Sequence, residues 1–454
     1  MKPHKILWLG CCLAVAGCGG DKSPGRNYDK EIDRLMGRMT LAEKIGQMNQ
    51  VSGQSNPTGV LKQYSSLEGR VREGKIGTVL NVTGAATTRE LQRIAVEETR
   101  LGIPLIFALD VIHGYKTISP VPLAESCSWD MSAIEASARM AAVEASAAGL
   151  QWTFAPMVDI ARDPRWGRVV ECYGEDPFLI AELGVEMVRG IQSQGVASTL
   201  KHYAAYSVPK GGRDGNCRTD PHIAPRELHQ MYLYPFRRVI RESKPMGVMS
   251  SYNDWDGVPV TASRYFLTDL LRHEYGFDGY VVSDSEAVEY VHTKHAVAET
   301  YDDAVRQVLE AGLNVRTNFS PPARFILPVR KLVREGRLSM DVVDQRVREV
   351  LRVKFRLGLF DDPYNDPKEA VAKAGADKHR DFVLDIQRQS LVLLKNEDKT
   401  LPLDKKKTAR VLVAGPLADE DNFMISRYGP NDLPTVTVLD GIRNYLGKDA
   451  EVRY

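Results

Sequence analysis

The sequence predicts an α/β protein built on a TIM-type (β/α)8 barrel, with the start of a second α/β region behind it. Three observations predict it. Short apolar runs alternate with longer amphipathic ones along most of the chain, the pattern of strands joined by helices. There are about seven or eight such units, more than a doubly wound sheet commonly holds. The apolar runs also end repeatedly in polar or charged residues, as barrel strands do where they face a site. Strands separated by helices pair in parallel through right-handed crossovers.

The elements follow in order. Residues 28–51 carry helical periodicity through Ile32, Leu35, Met36 and Met39, interrupted at Thr40-Leu-Ala-Glu43, a capping box that starts a new helix. Strands are expected at 77–82, 104–111, 151–160, 198–205, 246–252, 280–283 and 313–317, and helices at 88–99, 133–148, 178–194 and 301–311. Asp176 before Pro177 is a helix cap. On a barrel, Asp110, Asp159, Lys201 with His202, Tyr252 with Asn253, Asp284 and Asn318 all fall at strand ends on one face. A helix over 341–357 closes the barrel, and Asp361-Asp-Pro-Tyr-Asn-Asp-Pro367 ends it. Residues 365–385 read as a linker and connecting helix. An apolar strand over 409–414, stopped by Gly415-Pro416, belongs to the second region, residues 386–454. Because the chain stops at Tyr454 before that region could complete a sheet, a truncated product or fragment is expected.

Sixty basic residues against fifty-nine acidic ones leave a net charge of +1, which removes any long-range field that would draw in nucleic acid or an anionic membrane. A neutral substrate fits such a surface. At the N-terminus Lys2, His4 and Lys5 precede an apolar run over 6–17 that is too short to span a bilayer as a mature helix. Residues 1–18 read as a signal peptide. Its end, Val15-Ala-Gly-Cys18, resembles the bacterial lipobox, so Cys18 is expected to carry lipid and residues 19–27 to be a polar linker. A lipid anchor on Cys18 would then be the only membrane attachment, with the protein held in the cell envelope, at the periplasm or outer membrane. Beyond the signal, Cys127, Cys172 and Cys217 allow at most one disulfide.

No metal or cofactor is expected. No Cys-x-x-Cys or His-x-x-x-His pair supports a metal site, and no Gly-x-Gly-x-x-Gly or Gly-x-Ser-x-Gly occurs. Gly69-Arg-Val-Arg-Glu-Gly-Lys75 has the spacing of a phosphate loop, but Ile76 replaces the metal-binding hydroxyl and the segment precedes a strand, so it reads as a charged helix end before a glycine cap. Lys201-His202 alone would pass for a snorkelling lysine beside a core histidine; among other strand-end polar groups it reads as part of a site. The loop Arg162-Asp-Pro-Arg-Trp-Gly-Arg-Val-Val-Glu-Cys-Tyr-Gly-Glu-Asp-Pro177 is dense in arginine forks. Arg168 is assigned to ligand contact, and Arg162, Asp163 and Trp166 to loop architecture.

Leu109-Asp-Val-Ile-His-Gly114, the Arg162 to Pro177 loop, Lys201-His-Tyr203, Met249-Ser-Ser-Tyr-Asn253 and Val282-Ser-Asp284 resemble, in order and spacing, glycoside hydrolase family 3. The likeness spans residues 28–364. Arg388-Gln-Ser-Leu-Val-Leu-Leu-Lys-Asn396 with Leu401-Pro402 looks like the opening of that family's second, α/β sandwich domain. The resemblance implies a retaining exo-acting β-glucosidase, with Asp284 as nucleophile and Asp110, Arg168, Lys201, His202 and Tyr252 holding the hydroxyls of the terminal sugar of a β-linked oligosaccharide. A strand-end aspartate in a hydrogen-bonded pocket is expected to be ionised. β-Xylosidase is the alternative, since the pocket around the sugar's C6 decides between them; a sugar-binding remnant without its acid/base is the other. In two-domain members that acid/base is a glutamate of the second domain, expected beyond residue 454. Three departures stand out. Ser285 replaces the tryptophan that often follows the nucleophile, Asn314 replaces the aspartate of an Ala-Gly-x-Asp pattern, and the histidine loop of single-domain members is missing after Lys201-His202, so His222 is given no role. Glu286, two residues past Asp284, is not assigned as its partner.

Overall fold

The computed structural model describes residues 27–53, 67–207, 220–421, 428–429 and 435–454. The signal sequence and Cys18 lie outside them, as does Cys217. Eight parallel strands run β1 (Asn49–Ser52), β2 (Thr78–Leu80), β3 (Ile106–Leu109), β4 (Trp152–Thr153), β5 (Ala197–Tyr203), β6 (Gly247–Ser250), then, after a two-stranded hairpin of β7 (Asp254–Trp255) and β8 (Val258–Pro259), β9 (Tyr280–Ser283) and β10 (Arg316–Asn318). Each pairs with its neighbour in sequence, β10 returns to β1, and a Val282–Val315 bridge joins β9 to β10, closing the ring. This is the expected (β/α)8 barrel.

Two expectations are corrected. β1 lies inside the stretch read as helical: the helix opened by the Thr40–Glu43 capping box ends at Gln47, and Asn49–Ser52 is a buried strand whose polar residues hid it from apolar patterning. The run over 151–160 forms only a two-residue strand, after which residues 155–158 keep backbone hydrogen bonds to β5, with a bridge from Met157 to Lys201, before the arginine loop.

Close packing explains several residue choices. In the barrel interior Trp152 stacks on Tyr280 with ring centroids 4.2 Å apart. Gly247 of β6 leaves room for that indole, since a Cβ there would sit 2.3 Å from its ring. Outside, the alanine-rich helix Met131–Ala147, capped by Asp130, packs on Pro177–Gln192, and a Cβ at Gly190 would come within 2.4 Å of the Glu135 carbonyl. Below the strands, Lys354 of the helix Met340–Arg356 is wholly buried and donates to Gln47 Oε1, Gly77 O and Pro104 O, one acceptor for each ammonium proton. Asn314 ties β9 to the same helix: Oδ1 accepts from Val281 N at 2.8 Å and Arg272 Nη2 at 2.7 Å, and Nδ2 donates to Arg346 O and Glu349 Oε2. Both of its ends are used, which an aspartate could not do.

Past the barrel, Glu144 gathers the connecting segment: it accepts from the Lys116 and Thr117 backbone, Thr117 Oγ1, Gly375 N and His379 Nδ1. The helix Asp377–Gln389 leads to a small parallel pair, β11 (Arg410–Leu412) and β12 (Glu451–Arg453). Among the described residues no helix is long and apolar enough to cross a membrane.

Two outcomes test this packing. Asn314→Ala strands the buried Val281 amide and takes one acceptor from Arg272, and should lower unfolding free energy by about 2–4 kcal/mol in denaturant titration; a change under about 1 kcal/mol would contradict the link. Glu125 is buried, with Ser137 Oγ donating to its Oε1, and burial pushes its carboxyl up to about 7. A carboxyl raised in the fold stabilises below its unfolded value and loses that stability as pH rises towards 7. Stability should therefore fall by about 3 kcal/mol between pH 4 and pH 8, and Glu125→Gln should flatten that slope.

Candidate active site

β5 is the structural centre of the site. All seven of its residues are buried, and its register with β6 shifts between Leu200 and Tyr203, at the point where Lys201 and His202 are delivered. Lys201 Nζ sits 2.8 Å from Asp110 Oδ1, at the end of β3. Burial is the largest influence and pulls the ammonium down, but Asp110, Tyr428 and Glu171 together raise it above its ordinary value and the lysine stays charged. His202 Nδ1 and its own backbone N each lie 2.9 Å from Asp159 Oδ2.

Arg168 is 4% exposed and is the charge around which the site is arranged. Its Nε and Nη2 fork onto Glu171 at 2.9 and 2.8 Å, and its Nη1 lies 2.9 Å from His202 Nε2. Bidentate pairing of this kind fixes the guanidinium plane as well as neutralising it. Arg162 and Asp163, by contrast, bond outward to Glu227 and Arg165, and Trp166 packs in the loop core.

Asp284, at the end of β9, has two unlike oxygens. Oδ1 accepts from Tyr252 Oη at 2.8 Å and from Ser285 N at 2.7 Å. Oδ2 is buried with no hydrogen-bond partner among the described residues, and His202 Nε2 is 3.6 Å away. Burial raises the Asp284 carboxyl above its ordinary value, against the pull of Arg168, the Ser285 amide, Tyr252 and Lys201. Desolvation is the larger effect, while the nearby cations and the hydrogen bonds to Oδ1 favour the carboxylate.

All six sugar-site residues named from sequence, Asp110, Arg168, Lys201, His202, Tyr252 and Asp284, thus converge at the C-terminal ends of β3, β5, β6 and β9 and the loop after β4. Sequence reasoning passed over four others. Glu171 was quoted without a role, and Asp159 was placed at a strand end without a partner. Tyr206 stands with its ring edge-on to His202 and 5.9 Å from Tyr252. Tyr428 reaches in from the second region, its hydroxyl 3.4 Å from Arg168 Nη2 and its ring 5.1 Å from Lys201 Nζ. Its one sequence signal is its place in the chain after β11, the strand-end rule applied to the second region. Tyr206, Tyr252 and Tyr290 form a run of ring contacts, with Tyr252 also bonded to Asp284. Glu286 turns away in a left-handed conformation, φ 65°, towards Tyr290. His222 is exposed beside Asp220. No group of three metal-ligating side chains occurs among the described residues.

The model of the glycosyl hydrolase family 3 N-terminal domain matches residues 40–353, and that of the family's C-terminal domain matches residues 391–453. The chain belongs to glycosyl hydrolase family 3. It is 35% identical over 440 residues to a periplasmic beta-glucosidase of Salmonella typhimurium, covering 94% of this chain and 55% of that protein. It is 31% identical to a beta-xylosidase of Formosa agariphila, over 99% of this chain and 61% of that one. The fold superposes on a beta-glucosidase from Listeria innocua in complex with glucose with a TM-score of 0.82 at 34% identity, covering 93% of this chain and 60% of that chain. The chain thus spans between 55% and 61% of the length of these relatives.

The Arg168–Glu171 pair is testable without a substrate. Arg168→Met removes the guanidinium fork from the buried Glu171 carboxylate, at a cost of about 3–5 kcal/mol in chemical denaturation. Arg168→Met with Glu171→Met should recover most of that loss; additive losses would contradict the pairing.

Proposed function

We propose that this chain carries the sugar-binding and nucleophilic half of a retaining, exo-acting β-glucosidase, which removes terminal non-reducing β-D-glucosyl residues through a covalent glycosyl-enzyme on Asp284. The observation that carries the reading is the asymmetry of Asp284. Tyr252 and Ser285 hold Oδ1, so Oδ2 keeps its lone pairs and is the oxygen to attack the anomeric carbon. Arg168 and Lys201 oppose the burial that favours the protonated acid, and so favour the carboxylate that attack requires. Asp110, Lys201, His202, Arg168 and Tyr252 hold the sugar's hydroxyls, each locked by a protein partner before the substrate arrives. A near-neutral chain suits a neutral glycoside, and no cofactor is needed for this chemistry.

The carboxylates packed around Asp284 are already engaged, Asp110 with Lys201, Asp159 with His202 and Glu171 with Arg168. A similar identity to the Formosa agariphila beta-xylosidase supports xylose as the second reading for the same pocket. The periplasmic relative supports a periplasmic location, to which a lipid anchor on Cys18 would add attachment.

Kinetics on nitrophenyl glycosides test the reading. Asp284→Ala should lower kcat for nitrophenyl β-glucoside by about a thousandfold or more while glucose binding persists; near-normal turnover would overturn the nucleophile assignment. The chain should also cleave activated aryl glucosides far faster than cellobiose, whose leaving group needs a proton. Equal rates would mean one of the three paired carboxylates is the acid.

A further inference from the structure

We infer that Asp159 is a positioning residue that fixes His202 as the neutral tautomer protonated at Nδ1, and that this tautomer aims Arg168 at the nucleophile. The inference rests on the reading of Asp284 above and extends it to a residue that touches no substrate.

The argument starts from donor counts. A guanidinium has only donors, so the 2.9 Å contact between Arg168 Nη1 and His202 Nε2 requires a lone pair on Nε2. Nε2 therefore carries no proton, and neither the imidazolium nor the Nε2–H tautomer fits. The ring proton sits on Nδ1 and is donated to Asp159 Oδ2 at 2.9 Å. The same oxygen accepts the His202 backbone N–H, so the ring is gripped at two points and cannot flip.

The groups facing His202 agree. Arg168 and Glu171 come from the loop after β4, Lys201 from its own strand, Tyr206 from the turn beyond, and Asp284 and Tyr252 from the ends of β9 and β6. Asp284 Oδ2, 3.6 Å from Nε2, would draw a proton onto that nitrogen if nothing opposed it. Asp159 competes for the same proton from the other side of the ring, and the Arg168 contact records the outcome. Burial pushes the Asp159 carboxyl up to about 7, and the His202 backbone N–H and Arg168 work against that rise. With Nε2 as acceptor, Arg168 is held by Glu171 on one edge and by His202 on the other, which sets its charge beside Asp284, whose Oδ2 lies 3.6 Å from the same Nε2, and there it opposes protonation of Asp284. Asp159 thus acts on the nucleophile through two intermediaries.

Long-range proton–nitrogen spectra of the 15N-histidine-labelled chain test this directly, with His202 assigned by the signal lost in His202→Gln. At pH 7 the signal should show a protonated Nδ1 and a bare Nε2; an Nε2–H tautomer or an imidazolium overturns the proposal. This readout needs no turnover, so it stands or falls separately from the assignment of Asp284 as nucleophile. In Asp159→Asn, which can donate to Nδ1, the His202 signal should change to the Nε2–H form. Glucose binding should weaken by about tenfold or more, and the acid limb of kcat/KM on nitrophenyl β-glucoside should move to higher pH as Arg168 loses its second anchor. An unchanged tautomer in the variant, or lost activity with an unshifted acid limb, would mean that Asp159 supports the fold alone.

Discussion

One guanidinium sets the terms for the mouth of this barrel. Arg168 is buried beside a nucleophile-like carboxylate, a lysine and a histidine, and a charge in that position is tolerated only with near-complete compensation. Glu171 supplies the countercharge as a fork, and His202 supplies a lone pair. Each compensating group then needs support of its own: His202 leans on Asp159, Lys201 on Asp110, and Asp284 on Tyr252 and the Ser285 amide. The result is a chain of pairings in which removing any member exposes the next. Groups held in this way lose little freedom when a sugar arrives, which is how a preformed hydroxyl-binding site gains affinity.

The barrel makes such a network affordable. Strands closed into a ring present their C-terminal ends to one small region, so residues separated by 174 positions, Asp110 and Asp284, serve one pocket. The opposite end is closed by different means, with Lys354 satisfied by a side-chain oxygen and two backbone carbonyls. Stability and chemistry are thereby separated along the barrel axis. The second region adds Tyr428 from outside the ring, bringing an aromatic hydroxyl to a site otherwise built from strands.

Much of this was legible in the sequence, for physical reasons that differ by element. β9 reads plainly because a fully buried parallel strand is an uninterrupted apolar run, and its polar end must then face either solvent or a site. β1 did not read at all. Asn49 and Gln50 are buried on opposite faces of the strand, where Asn49 donates to Lys75 O and Gln50 to Thr317 Oγ1, so polarity there marks internal hydrogen bonding and not exposure. The six residues that converge at the mouth of the barrel were legible through strand ends and family motifs. The pairings among them were not, because Arg168 to His202 is a contact across 34 residues that no local pattern encodes. The same limit applies to the surroundings of Asp284: a strand-end carboxylate can be read from sequence, whereas the desolvation that raises it is a property of the closed barrel.

The central claim is that Asp284 forms a bond to the sugar. Incubating the chain with a 2-deoxy-2-fluoro-β-glucosyl fluoride, which forms the glycosyl-enzyme quickly and releases it slowly, and mapping the adduct by peptide mass spectrometry tests it most directly. The adduct is expected on the peptide carrying Gly279 to Val288, at Asp284. An adduct on Glu286 or any other carboxylate, or turnover of the reagent with no covalent species, would contradict it.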